Sequence, residues 1–375
     1  MATPRRCGQG GSMAEIVLQQ TPAPRAAVQR MRAYHPPLGG REGLRLDFNE
    51  NTVACSPRVL EALARIAAAD LAKYPERGQV EAKVAQHLGL EAEQVLLTNG
   101  VDEAIHVLCQ TFLDREDEFL FPTPTYTMYE VYGSCTDATV KTVPPSEDFD
   151  FPLEGLLAAI TPRTRLIAIA NPNSPTGRTA SREQILQVLN RAPQAVVLVD
   201  EAYYHFFGQT VIDLVGQVPN LIVARTFSKA YGLAGLRLGM LAAPASIQHW
   251  LRTVISPYSV NSLALACLPA ALDDDPYVQW YVGEVKAART KMVESLRQLG
   301  VPQWPTEANF VLVKIGPKHA EFVQAMRRRG VLTRDRSKDQ GCAGCVRLTV
   351  GTQVQMKQAM AAMAEALHEI GWERA

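Results

Sequence analysis

A lysine and an aspartate, each just after a short apolar run, are the residues of this sequence best suited to chemistry. Lys229 is flanked by Thr226 and Ser228, Arg237 follows it, and Asp200 ends the preceding apolar run. The carboxyl ends of strands in an α/β sheet meet in a crevice that binds ligands. Lys229 could form a Schiff base with an aldehyde, and Asp200 could pair with a pyridine nitrogen. Ser228 and Arg237 could bind a phosphate. The pattern therefore predicts pyridoxal phosphate as the cofactor.

Each half of this pattern has an ordinary alternative. A Ser-Lys pair after a strand is usually a solvated loop, and Asp-Glu after a strand is common. Both together, in this order and with Arg237 beyond them, are far more specific for the cofactor than either alone.

Two other segments fit a phosphorylated planar ring. Residues 94–103 run from an apolar stretch through a glycine into a helix, so the backbone N–H groups near Val101 and Asp102 could hold a phosphate. The proline-rich loop 122–126 presents Tyr126, which could stack on a ring. Tyr129 and Tyr132 are interpreted as a helical core stripe.

Composition excludes several function classes. Of 375 residues, 47% are hydrophobic and 20% charged, which allows a large core and two domains. The chain has 38 lysine and arginine residues and 38 aspartate and glutamate residues, so its formal net charge is zero. No overall positive charge therefore favours binding to nucleic acid or to an acidic membrane. No apolar run reaches the roughly 20 residues of a membrane helix, and the polar N-terminus lacks a secretion signal. We expect a cytoplasmic protein with a disordered tail over residues 1–27.

The seven cysteines are odd in number and scattered, which favours reduced thiols. Cys342 and Cys345 form a CxxC pattern, but a lone pattern without a second pair or nearby histidines is a weak zinc indication. We interpret it as a tight turn and predict no metal.

Periodicity predicts two domains. Short apolar runs alternate with helical stretches over residues 56–261, which is typical of a largely parallel sheet covered by helices, in a large cofactor-binding domain. Residues 28–55 and 262–375 are assigned to a smaller α+β domain. Its expected elements are a broken helix over 263–299, strands over 309–315, 331–334 and 346–350, and helices over 320–329 and 354–370.

Two arginines of the small domain lie in or beside apolar strands. A buried guanidinium needs an anionic partner. For Arg334 and Arg347 that partner is either a substrate carboxylate or phosphate, or a structural aspartate or glutamate.

From about Tyr34 to the C-terminus, the chain resembles fold-type I pyridoxal-phosphate aminotransferases, and most of all histidinol-phosphate aminotransferases. The resemblance rests on the segments 49–51, 74–76, 99–103, 122–126, 172–177, 200–203, 228–237, 308–310 and 347–352. It implies an α/β large domain with a mostly parallel seven-stranded sheet and a smaller α+β domain.

The resemblance also implies roles for the cofactor-binding residues. Lys229 would carry the cofactor and shuttle the proton, while Asp200 keeps the pyridine nitrogen protonated. Tyr203 and Asn173 would bond the ring hydroxyl. The remaining cofactor contacts are Tyr126 stacked on the ring, and Val101, Asp102, Thr226, Ser228 and Arg237 around the phosphate.

For the substrate, Arg347 would take the α-carboxylate of glutamate, and Tyr34, Asn49 and Arg334 would shape the pocket. The implied reaction moves an amino group between glutamate or 2-oxoglutarate and histidinol phosphate or imidazole-acetol phosphate, in histidine biosynthesis. The alternatives are an aromatic amino-acid aminotransferase and a decarboxylase similar to those acting on threonine phosphate. A regulator with a DNA-binding domain is a further alternative, for which the roughly thirty residues before Tyr34 are too few.

Family members place this site at the two-fold interface of a homodimer, with segments near Asn51 and Tyr74 crossing to the partner. The sequence departs from the family pattern at two positions. Val53 stands where many relatives have a tyrosine that reaches the partner's cofactor phosphate, so this hydrogen bond is lost. Ser174 stands where many have asparagine, so we assign the ring hydroxyl to Asn173.

Overall fold

The computed structural model describes residues 22–35, 39–40 and 42–373. The predicted tail over residues 1–27 lies mostly outside these residues. Its last two residues differ from the prediction, because Ala26 and Ala27 begin a helix and Ala27 is buried.

The described residues form twelve strands and fourteen α-helices. The strands are β1 Leu44–Arg45, β2 Val95–Thr98, β3 Glu118–Pro122, β4 Thr139–Val143, β5 Thr164–Ala170, β6 Val196–Asp200, β7 Leu221–Thr226, β8 Gly239–Ala242, β9 Phe310–Lys314, β10 Val331–Leu332, β11 Arg334–Asp335 and β12 Cys345–Thr349. The helices are α1 Ala26–Gln29, α2 Pro57–Ala64, α3 Ala68–Leu71, α4 Gly78–Leu88, α5 Gly100–Phe112, α6 Met128–Cys135, α7 Leu153–Ala159, α8 Arg182–Arg191, α9 Tyr204–Phe207, α10 Ala245–Val254, α11 Ser262–Leu272, α12 Asp275–Gln298, α13 His319–Arg328 and α14 Gln353–Glu369. None of these helices is both long enough and apolar enough to cross a membrane.

A seven-stranded sheet forms the centre of the molecule, as predicted. Its strand order is β2-β8-β7-β6-β5-β3-β4, and β8 alone runs antiparallel to its neighbours. The middle strands are runs of valine, leucine, isoleucine and alanine whose residues are almost all buried, as expected for strands covered by helices on both faces. Strands β5, β6 and β7 are parallel, so Ala170, Asp200 and Thr226 end at the same edge of the sheet.

Helix α2 begins at Pro57 and ends at Ala64. The Ser56 hydroxyl accepts a hydrogen bond from the Arg58 N–H and caps the helix. The chain leaves the helix after Ala64, and α3 is started by Asp70, whose carboxylate accepts from the Ala67 N–H. Leu60 on α2 is exposed.

The predicted strand over residues 331–334 is two strands in different sheets. Strand β10 pairs in parallel with β1, and after Thr333 the chain pairs as β11 with β12. The backbone of Val331 and Leu332 is already bonded to β1, so the change of partner breaks the strand. Strands β11, β12 and β9 form an antiparallel sheet in that order.

The three-stranded sheet lies close to the carboxyl ends of the central strands. The ring of Phe310 on β9 makes an edge contact with the ring of Tyr203, with centroids 5.1 Å apart. Helix α11, assigned by sequence to the small domain, packs against α2 and α4 of the large one. The division into two domains at residues 55 and 262 stays a prediction.

Candidate active site

Lys229 lies in the turn that follows β7. The Thr226 hydroxyl accepts from the Ser228 N–H at 3.1 Å and shapes the start of this turn. The Lys229 Nζ donates to the carbonyl of Phe48 at 3.0 Å. Beside Ser228, a cavity of about 330 Å³ is bordered by Asn51 and Gly235. The half-buried Lys229 thus lies at the end of the sheet, and its neighbour Ser228 borders the cavity.

Asp200 is the last residue of β6 and is buried. Its Oδ2 accepts from the Tyr129 hydroxyl at 2.8 Å, and its Oδ1 accepts from the Ala202 N–H at 3.1 Å. Burial raises the pKa of Asp200 to about 6, although both hydrogen bonds lower it. A buried carboxylate of this kind is best stabilised by a cationic ligand group.

Tyr129 contacts a predicted site residue, and sequence reasoning missed this contact. It was assigned to a core stripe, and it is indeed fully buried, but its hydroxyl holds Asp200. Burial, and next the charge of Asp200, raise the pKa of Tyr129 well above its ordinary value, so it remains a donor. Its ring also makes an edge contact with the ring of Tyr126, with centroids 5.9 Å apart. Tyr132 instead stacks on His106.

The N-terminus of α5 and Arg237 form an anion cradle. Gly100 has φ +73°, and a Cβ there would lie 2.5 Å from Nη2 of Arg237, so the guanidinium lies directly against the helix start. That Nη2 donates to Asp102 Oδ2 at 2.8 Å, and the Tyr126 hydroxyl donates to Asp102 Oδ1 at 2.5 Å. Helix N–H groups beside a guanidinium are suited to a phosphate.

Asn49 connects the small sheet to Tyr203. Its Nδ2 donates to the Tyr203 hydroxyl at 2.9 Å. Asn49 has φ +55°, and it is held there because its N–H donates to Thr349 Oγ1 at 2.9 Å and its carbonyl accepts from Asn309 at 3.2 Å. The predicted pocket residue Asn49 and the predicted ring-binding residue Tyr203 are thus in direct contact.

The amide of Asn173 is bonded within its own loops. Its Nδ2 donates to the Pro124 carbonyl and to Thr176 Oγ1, both at 2.9 Å, and its Oδ1 accepts from Thr125 at 2.7 Å. The neighbouring Ser174 hydroxyl instead accepts from Arg347. The assignment of Asn173 to a ring hydroxyl stays a prediction, and it requires these bonds to be exchanged.

Arg334 and Arg347 lie directly opposite each other on β11 and β12. The buried Arg347 donates to Ser174 Oγ at 3.0 Å and to the Asp47 carbonyl at 2.9 Å. Its Nε–H is buried without a hydrogen-bond partner among the described residues. Burial lowers the pKa of Arg347 to about 10, so an anion would be well bound there.

Arg334 is more open. Its Nη2 donates to the Tyr34 hydroxyl at 3.1 Å, and its guanidinium lies 5.2 Å from the ring centre of Phe48. Arg334 also lines a cavity of about 310 Å³. The structure therefore brings Tyr34 and Arg334 together. The role that the resemblance implies for them in the substrate pocket stays a prediction.

The donor set fits pyridoxal phosphate. An amine for the aldehyde, a buried carboxylate for the ring nitrogen and a helix N-terminus with an arginine for the phosphate lie at one end of the sheet, on Lys229, Asp200, α5 and Arg237. Among the residues the structure describes, no cluster of histidine, cysteine and carboxylate side chains is arranged to hold a metal.

Comparison with known proteins agrees with this geometry. Residues 41–363 match the family described as aminotransferase class I and II. The histidinol-phosphate aminotransferase of Symbiobacterium thermophilum is 35% identical over 92% of this chain and 99% of its own, and that of Thermoanaerobacter sp. strain X514 is 32% identical over 82% and 88%. The fold matches the histidinol-phosphate aminotransferase of Sinorhizobium meliloti, solved in complex with pyridoxal-5'-phosphate, with a TM-score of 0.84 at 23% identity over 94% of this chain and all of that one. The chain therefore belongs to the aminotransferase class I and II family.

Proposed function

We propose that this protein is a pyridoxal-phosphate-dependent histidinol-phosphate transaminase. It moves an amino group between glutamate or 2-oxoglutarate and histidinol phosphate or imidazole-acetol phosphate. The observation that carries the proposal is the pair Lys229 and Asp200 at one sheet edge, with Arg334 and Arg347 opposite each other on the neighbouring small sheet. The relatives at 32–35% identity carry the same function in their names.

The cofactor is held by residues of the large domain. When bound, pyridoxal phosphate supplies an electron sink for the bond broken at the substrate carbon. Arg237, Ser228 and the first N–H groups of α5 hold its phosphate. Asp200 keeps the ring nitrogen protonated, and Tyr129 fixes the carboxylate for this task.

Lys229 binds the aldehyde and moves the proton. In the structure its Nζ is positioned by the Phe48 carbonyl, a hydrogen-bond acceptor that keeps the free amine directed during proton transfer. Phe48 lies beside Asn49, which bonds Tyr203. The segment that contacts the amine therefore also contacts the side chain assigned to the ring hydroxyl.

The two arginines divide the anionic groups of the substrates. Arg347 is buried and its planar fork suits the α-carboxylate of glutamate. Arg334, with Tyr34, takes the distal anion, which is the side-chain carboxylate of glutamate or the phosphate of the other substrate. Both substrates of the exchange reaction carry such an anion, so one pocket serves both.

We propose a homodimer as the working form. Supporting this proposal, Val53, Leu60, Tyr74 and Tyr258 are large apolar or aromatic side chains that are mainly exposed, and Tyr74 stacks on Tyr258 with centroids 4.4 Å apart. Sedimentation or light scattering tests it, and an active monomer would contradict it.

A cytoplasmic location is proposed with it. The six cysteines that the structure describes are all free thiols, which fits a reducing compartment. A fractionation experiment with a tagged chain checks the location.

The function is tested by half-reactions of the purified holoenzyme with glutamate, histidinol phosphate and phenylalanine. We expect the first two to react, and borohydride reduction followed by peptide mapping should attach the cofactor to Lys229. Preference for phenylalanine would indicate an aromatic aminotransferase, and release of carbon dioxide from threonine phosphate would indicate the decarboxylase. Cofactor attached at another residue would refute the role of Lys229.

A further inference from the structure

Arg336 continues the ladder that places Arg334 opposite Arg347. Its N–H donates to the Cys345 carbonyl at 2.9 Å, two residues along each strand from that arginine pair. Side chains alternate between the two faces of a sheet, so residues two apart point the same way. Arg334, Arg336 and Arg347 therefore lie on one face.

This face is the one that meets the large domain. Leu312, the Cα partner of Arg347 on β9, clusters with Phe149, and Arg347 itself bonds Ser174. Two residues span about 7 Å along a strand, a distance that two arginine side chains can bridge. Arg334 and Arg336 can therefore reach one ligand from neighbouring positions.

Arg336 has donors to spare. Its side chain is only 11% exposed and forms an ion pair with Asp339 through Nη2. Its Nε–H is buried without a hydrogen-bond partner among the described residues, as is the Nε–H of Arg347. Unpaired buried donors on charged groups are costly, so the Nε–H of Arg336 is available to an anionic ligand.

The charges support the same arrangement. After burial, the charge of Arg336 is the largest cause that lowers the pKa of Arg347. Burial raises the pKa of Asp339, whereas the positive charges of Arg336, Arg347 and Arg334 lower it. Asp339 thus lies near all three guanidinium groups.

We propose that Arg336 is a further substrate-binding residue, which holds the phosphate of the phosphorylated substrate together with Arg334. Asp339 keeps the guanidinium in place until the phosphate arrives. A phosphate has three terminal oxygens and more charge than a carboxylate, so it uses a second arginine that glutamate does not need. The inference rests on the proposed function and names the residue that selects phosphate.

The test compares holoenzyme kinetics with histidinol phosphate, histidinol and glutamate. Arg336→Gln should raise KM for histidinol phosphate about 10- to 100-fold, the range for a lost charge-assisted hydrogen bond, and change kcat and the glutamate reaction little. Arg336→Lys should restore part of the loss. Arg328→Gln is the matched control, because Arg328 is a surface arginine paired with Glu369.

Inorganic phosphate, as a competitive inhibitor of the glutamate reaction, gives a second readout. Its inhibition should weaken at least about tenfold in Arg336→Gln. It should strengthen in Asp339→Asn, where no carboxylate competes for the guanidinium.

The outcomes separate the two proposals. Equal changes for all three substrates, or unchanged inhibition by phosphate, would overturn the role of Arg336. If the unsubstituted enzyme does not prefer histidinol phosphate over histidinol, the proposed function fails. Inhibition by phosphate would then still decide whether Arg336 binds an anion.

Discussion

The buried carboxylate of Asp200 should destabilise the cofactor-free protein at neutral pH. Burial raises its pKa to about 6 from the 3.8 of an exposed aspartate. Between these two values the folded state therefore binds more protons than the unfolded state. The contribution of protonated Asp200 to the stability of the fold is complete below about pH 4 and is lost as the pH rises through 6. At about 1.4 kcal/mol per pKa unit, the loss is about 3 kcal/mol.

Asp200→Asn isolates this contribution, because the amide has nearly the same shape and does not titrate. Both proteins are compared without cofactor. We expect the difference between their free energies of unfolding, variant minus unsubstituted protein, to increase by about 3 kcal/mol from about pH 4 to pH 7.5. Urea unfolding of both proteins after cofactor removal measures it. With cofactor bound, the variant should lose most of its turnover, because an amide cannot keep the ring nitrogen protonated.

Asp213→Asn is the control for this experiment. Asp213 is an exposed aspartate whose two oxygens accept from Arg182 at 2.7 and 2.8 Å, and this bonding lowers its pKa. Its contribution to stability is lost as the pH falls, so the control should show a small slope of the opposite sign. A pH-independent difference for Asp200→Asn would refute the reasoning from burial.

Four other substitutions test the site. Tyr129→Phe removes the hydroxyl that Asp200 accepts from, so the pKa of Asp200 should rise and the pH-dependent loss of stability should move to higher pH in urea unfolding; an unchanged curve would contradict this. Arg347→Lys should slow the glutamate half-reaction about 10- to 100-fold, from ~1.5–3 kcal/mol of lost charge-assisted bonding. Arg334→Ala should slow histidinol phosphate and glutamate more than phenylalanine, and equal slowing of all three would make Arg334 a structural residue. Val53→Tyr should slow cofactor loss on dialysis of the dimer, and unchanged retention would show that position 53 does not contact the cofactor phosphate.

The sequence alone determined the large-scale plan of the protein. The apolar runs that became β5, β6 and β7 are local signals, because a strand covered on both faces must be continuously apolar. The positions of Asp200 and Lys229 after such runs were enough to predict their meeting, since parallel strands end at a common edge. The turn predicted at residues 342–345 also depends on local sequence. The Cys345 N–H donates to the Cys342 carbonyl at 2.8 Å, and Gly344 has φ +74°.

Only the tertiary structure decided which side chains act on one another. Tyr129 was indistinguishable from a core tyrosine until β6 placed Asp200 within 2.8 Å of its hydroxyl. Ser174 and Arg347 are 173 positions apart, and their bond depends on how the small sheet docks on the large one. The break at Thr333 likewise followed from the partner strands on either side. Local periodicity reports burial and direction along one segment, whereas these contacts depend on the packing of segments distant in the chain.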